Sequence, residues 1–216
     1  MGQFNIIQLI IIWGPPVLFA ITLHEVAHGW VANRLGDSTA RMLGRLTVNP
    51  VKHIDPIGTI LVPAVLYIFT GFVFGWAKPV PVAPRNFKNP RKGMAIVAVA
   101  GPLSNLLMGI FWAAVSYVVV LLNQPALQLL YYMGLAGVSV NVVLAILNII
   151  PVPPLDGGRV LAGLLPRDAA NLLDRIEPFG LFIIAILVFS HLFNFILGPP
   201  IVWLQSILLS PLAHLT

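Results

Sequence analysis

Long apolar runs, separated by short polar clusters, set the pattern of this chain. A helix that crosses a bilayer needs about 20 consecutive apolar residues, and five runs approach that length. The first extends from Phe4 to about Asn33 and is interrupted by Pro15-Pro16 and by a polar cluster at His24-Glu25. The second is Ile57–Trp76, with Pro63 inside it, the third Met94–Leu122 and the fourth Ala126–Ile150. The fifth, Phe179–Leu197, stops at Gly198-Pro199-Pro200 and is followed by a shorter run, Ile201–Leu215, which suits either a span or an interfacial helix. No internal repeat, low-complexity tract or separate soluble domain is visible. The pattern predicts an all-α polytopic membrane protein with about five transmembrane helices, built as one membrane-embedded domain over residues 1–216.

Composition narrows the class further. Hydrophobic residues make up 58% of the chain and charged residues 9%, with a mean hydropathy of +0.94. Soluble domains are about 25% charged, so a soluble globule, a disordered chain and a nucleic-acid-binding domain are all excluded. The pI near 10.0 reflects 12 Lys and Arg against 7 Asp and Glu. In a membrane protein such an excess marks cytoplasmic loops. Nine of these cations lie between Arg34 and Lys92 and three between Arg159 and Arg175, while Asn123–Pro125 and Gly198–Pro200 carry none. The positive-inside rule therefore places 34–92 and 151–177 in the cytoplasm. The run Ile57–Trp76 has basic residues on both flanks, so a spanning helix there would put them on opposite sides. A re-entrant segment keeps both inside, provided protein or a wet cavity covers its irregular backbone. Met1–Asn5 has no Lys or Arg, unlike a secretory signal peptide, so the first run is expected in the mature protein.

With no cysteine in the chain, any metal must be held by His, Asp or Glu. The clearest candidate is His24-Glu25-Val26-Ala27-His28. On a helix, positions i and i+4 share a face, so both imidazoles can reach one ion, and Glu25 can touch a metal-bound water. Chance predicts only about 0.001 such matches in a chain with this many His and Glu. Ionisable residues within a span each cost about 2.5–3.5 kcal/mol on insertion scales, which a metal would offset. Zinc with histidine ligands and an open position is the usual reading, and it needs a third protein ligand. Asp37, Asp55, Asp168, Asp174 and Glu177 lie in charged loops. Asp156 instead follows Asn148-Ile-Ile-Pro-Val-Pro-Pro-Leu and precedes Gly157-Gly158. Prolines stop the fourth helix there and glycines permit a sharp turn. The carboxylate is thus either a third ligand at the membrane boundary or the N-cap of a helix starting at Gly157. His53, between Lys52 and Asp55, reads as a solvated loop histidine, and His191 as a partner for another helix.

Three segments together resemble a known family: the HExxH in a membrane helix, Gly101-Pro102-Leu103-Ser104-Asn105, and Asn148 through Asp156-Gly157-Gly158. They are similar to the site-2 protease family of intramembrane zinc metalloproteases. Gly75-Trp76-Ala77-Lys78-Pro79-Val80-Pro81-Val82 is similar to its small prokaryotic members, and 216 residues leave no room for the PDZ or CBS domain of larger relatives. The likeness covers about residues 15–165, the expected catalytic core, with C-terminal helices over 178–215. It implies one Zn2+ per chain held by His24, His28 and Asp156, with Glu25 as general base. It also implies that Asn148 and Asn105 contact substrate or stabilise the oxyanion. A re-entrant second run would let the fourth helix return Asp156 to the level of the histidines. The implied partners are the lipid bilayer and a membrane-protein substrate with a transmembrane helix. The implied location is the prokaryotic cytoplasmic membrane, with the site toward the cytoplasm. Pro79–Pro84 reads as an extended segment, either an edge for strand addition by substrate or a rigid loop. A non-proteolytic zinc transporter or sensor is the alternative.

Overall fold

The computed structural model describes residues 4–70, 75–180, 182, 183, 186 and 190–213. Among them are helices and irregular segments, and no strand. Helix α1 (Ile6–Arg34) starts at Asn5, whose side chain and backbone exchange hydrogen bonds of 2.9 Å with those of Gln8 in a capping box. Pro15 and Pro16 lie inside this helix rather than interrupting it. In membrane helices neighbouring spans and local adjustments tolerate the lost backbone bonds.

A short helix, α2 (Thr39–Met42), and a 3-10 turn at Pro50–His53 follow. Asp55 then caps a π-helical turn, Pro56–Leu61, by accepting the N–H groups of Ile57 and Gly58 at 2.9 and 2.7 Å. The turn runs into α3 (Val62–Thr70). Residues 75–83 are neither helix nor strand and lie back against the start of this segment. Trp76 donates its N–H to Gly58 O at 3.0 Å, Lys78 does the same to His53 O at 2.9 Å, and Thr59 Oγ1 donates to Trp76 O at 2.8 Å. The two ends of the second apolar run are therefore bonded to each other. That is the re-entrant arrangement, and it leaves residues 75–83 as a strap beside α1.

Helices α4 (Pro90–Leu122) and α5 (Gln128–Ile149) follow the expected third and fourth runs. Asn89 caps α4 and Asn123, in the left-handed region at φ 46°, ends it. After an irregular linker come α6 (Asp156–Leu164), α7 (Arg167–Ile176) and α8 (His191–Ala213). The C-terminal end differs from expectation. Gly198-Pro199-Pro200 does not break the chain but lies within α8, so Ile201 onward continues one helix. Residues 181, 184, 185 and 187–189, within the expected fifth run, lie outside the described residues, as does Leu215.

Among the described residues four helical stretches are long and apolar enough to cross a bilayer: Ile6–Arg34, Pro90–Leu122, Pro125–Ile149 and Asn194–Ala213. The chain is a multi-pass membrane protein in a lipid bilayer. Helix α4 is central, packing on α1, α5, α6 and α8. Trp112 of α4 meets Val138 and Val142 of α5 and Leu197 and Ile201 of α8 in the main buried cluster. Ile6, Ile10, Leu107 and Phe111 face outward, where lipid supplies the apolar cover. The two cationic stretches meet at one end of the bundle, where Arg91 Nη2 donates to Asn171 Oδ1 at 2.9 Å and Arg167 O at 3.4 Å.

Candidate metal centre

The HExxH register on α1 puts His24 and His28 one turn apart, with ring centroids 4.6 Å apart and planes nearly perpendicular at 87°. Each Nδ1 meets an acceptor: His24 lies 2.6 Å from Asn105 Oδ1 and His28 lies 2.8 Å from Val97 O, both on α4. In the neutral rings each Nδ1 therefore carries the hydrogen and each Nε2 presents a lone pair. Both rings lie against Gly101, where a Cβ would fall 2.5 Å from His24 Cε1 and from His28 Nε2. The absence of a side chain there is what lets the imidazoles approach α4.

Asp156 arrives from the other side. Short backbone bonds, Val152 N–H to Ile150 O at 2.8 Å and Leu155 N–H to Val152 O at 3.0 Å, coil the linker after α5. A Cβ at Gly158 would sit 2.5 Å from Pro153 N, so the glycine lets α6 start against this coil. Leu155 occupies the cap position and Asp156 is the first helical residue, so its carboxylate is free of capping and turns inward.

The two Nε2 atoms are 3.1 Å apart and each lies 3.2 Å from Asp156 Oδ2. The three side chains are only 12, 10 and 7% exposed. A carboxyl is ionised at neutral pH at its ordinary value, so Asp156 offers a lone pair as the two Nε2 atoms do. Among the described residues its Oδ2 has no hydrogen-bond partner. Three electron-pair donors facing one another in a dry site repel unless a cation lies between them. A tetrahedral ion with bonds of about 2.0–2.1 Å separates its ligands by about 3.3 Å, close to the observed triangle. The group fits a metal ion of zinc's size and coordination.

Glu25 faces the strap. Its Oε2 accepts the Val80 N–H at 2.7 Å. The strap is fixed by two further residues. Arg45 Nη2 donates to Lys78 O at 2.9 Å and Pro79 O at 3.4 Å. Asp37 accepts from Ala83 N–H at 2.6 Å, from Asn86 Nδ2 at 2.7 Å and from Thr39 N–H and Oγ1. Burial opposes ionisation of Asp37, yet these donors hold its pKa below the ordinary carboxyl value. Two loop assignments are thereby corrected: Asp37 is fully buried, and His53 is 2% exposed with Nε2 on Thr47 O at 2.9 Å. Neither is solvated, because the returning strap covers them.

The asparagines separate. Asn148 is half-buried, donates Nδ2 to Leu144 O at 2.9 Å, and lines a cavity of about 390 Å³ with Asp156, Pro102, Leu106 and Leu161. Asn105, expected at the substrate, is instead fully buried behind His24. Its amide is taken up by His24, Ala20 O and Asn141 Oδ1.

Residues 118–191 match the model of peptidase family M50. The chain is 36% identical over 190 residues to "Putative zinc metalloprotease YwhC" of Bacillus subtilis (strain 168), covering 85% of this chain and 82% of that protein. This chain belongs to peptidase family M50, the site-2 proteases. It is 26% identical over 178 residues to "Putative zinc metalloprotease Rip2" of Mycolicibacterium smegmatis, covering 82% of this chain and 66% of the relative. It is 27% identical over 148 residues to "Zinc metalloprotease MJ0392" of Methanocaldococcus jannaschii, covering 68% and 32%. No solved structure matches. Within this M50 peptidase, sequence reasoning missed Arg45, Asp37, the Val80 N–H and Asn141. Only Asn141 carried a signal, as a lone amide in the fourth apolar run, where an unpaired polar group is unfavourable in lipid.

Proposed function

We propose that this membrane peptidase hydrolyses peptide bonds within or near transmembrane segments of other membrane proteins. The observation that carries the reading is the buried triangle of His24, His28 and Asp156, with the histidines and Glu25 on a helix long enough to span. In this reading those three residues hold one Zn2+. Bound there, the ion would supply Lewis-acid chemistry, polarising the scissile carbonyl and acidifying the attacking water toward a pKa of about 7. Glu25 acts as general base. Its Oε2 is oriented by the Val80 N–H, and the carboxylate takes the water's proton and returns it to the leaving amine. The Asn148 amide, beside Asp156 in the same cavity, donates to the developing oxyanion. The strap keeps substrate extended at the site. Because its Val80 and Ala83 N–H groups and Lys78 and Pro79 carbonyls are bonded within the chain, any strand addition uses the remaining backbone groups. The cationic end of the bundle faces the cytoplasm of a prokaryotic cell, by the positive-inside rule.

The test is cleavage of a single-span substrate in vesicles by purified protein, with the cut located by mass spectrometry. Wild type is expected to hold about one zinc per chain and to cut in or next to the apolar segment. Asn148→Ala is expected to keep zinc and lose about 10²–10³ in rate. Cuts confined to distant soluble loops would overturn the reading.

A further inference from the structure

We propose that Asn141, acting through Asn105, fixes the tautomer and orientation of His24 and so sets how tightly the metal is held. This rests on the ligand set proposed above. The chain of bonds has a direction imposed by its far end. Asn141 Nδ2 donates to Gly137 O at 2.9 Å. A backbone carbonyl only accepts, so this side of the Asn141 amide is its NH2, and Oδ1 points the other way. Asn105 Nδ2 then donates to Asn141 Oδ1 at 3.0 Å and to Ala20 O at 3.2 Å. Both partners are acceptors, so reversing the Asn105 amide would set oxygen against oxygen twice. Its Oδ1 is left facing His24 Nδ1 at 2.6 Å.

An acceptor at that point demands a hydrogen on Nδ1 and leaves the Nε2 lone pair for the ion. Without it, the neutral ring is free to carry its hydrogen on Nε2, where it blocks coordination. Both asparagines have 0% exposure, so water does not substitute for either. The relay also joins three spans: Gly137 and Asn141 stand one turn apart on α5, Asn105 is on α4, and Ala20 and His24 stand one turn apart on α1. His28 needs no such relay, because Val97 O takes its Nδ1 hydrogen directly. Asn141 and Asn105 are positioning residues, and partners of this kind tune metal affinity by about 10–100-fold.

The experiment is zinc competition against a chelator on the purified holoenzyme, with thermal melting of each variant alongside. His24→Ala tests the ligand set and is expected to lose zinc; retention of wild-type affinity there would refute the ligand, separately from the relay. Asn105→Leu is expected to weaken zinc about 10–100-fold. Asn141→Ala added to Asn105→Leu is expected to weaken zinc no further, because the link it removes is already broken. Asn141→Ala, a smaller change at the distal link, is expected to weaken zinc about tenfold and guards against misfolding of the Asn105 variants. Wild-type zinc affinity in Asn141→Ala alone, or a full further tenfold loss when it is added to Asn105→Leu, overturns the proposal.

Discussion

His24 and His28 are held by α4 and α6, through two side chains and one main-chain carbonyl, whereas Glu25, between them in sequence, is held by a main-chain N–H of the strap. On the ligand face the fixing atoms are Asn105 Oδ1, Val97 O and Asp156 Oδ2. On the strap face they are the Val80 N–H and, behind it, Arg45 on two carbonyls and Asp37 on the Ala83 N–H. One helix thus presents the proposed ligands to its packed neighbours and the proposed base to a segment that is neither helix nor strand. In that reading, placing the ion and placing the base are separable tasks, handled by different parts of the chain.

The sharpest way to break that separation is Glu25→Gln. Cleavage is expected to fall by about 10²–10⁴ while zinc content, read by metal analysis, stays at the wild-type level. Equal loss of both would show that the two faces are not independent. Next in size is Gly101→Ala. Its methyl group would press on both imidazoles, so zinc binding is expected to weaken by about 10–100-fold, with about 1–3 kcal/mol of overpacking read as a lower melting temperature. On the other face, Asp37→Ala leaves the Ala83 and Asn86 donors without their acceptor and is expected to cost about 2–3 kcal/mol. Thermal melting checks this, and zinc affinity in the same variant should hold. The smallest effect is one of pH. Asp37 has a lowered folded-state pKa, so its contribution is fully present above the ordinary carboxyl value of 3.8 and is lost as pH falls through the folded value. Wild-type melting temperature should drop more steeply below pH 4 than that of Asp37→Asn; parallel curves would remove Asp37 as the cause.

The same contrast explains what the sequence revealed. The ligand face was legible because its chemistry is written in side chains at fixed spacing: two histidines at i and i+4, a carboxylate between prolines and glycines, and a Gly-Pro pair on the third run. The re-entrant second run was legible from charge on both flanks. The strap was not, because the group that meets Glu25 is a main-chain N–H, which every residue except proline carries. Asp37 and His53 looked like solvated loop residues since nothing local announces the segment that later folds over them. Asn105 was assigned to substrate because its motif was visible, but its facing was not; only the register of α4 against α1 turns it behind His24. At Gly198-Pro199-Pro200 a rule drawn from soluble helices failed, since a span can carry prolines that an isolated helix would not.

The capping box at Asn5 turns α1 into a ruler. At 1.5 Å per residue, the distance from position 5 to position 24 is about 28 Å, nearly the hydrocarbon thickness of about 30 Å. A bilayer with one border at the amide cap has its opposite border at the first imidazole, so hydrolytic water has less than a helical turn of oil to cross.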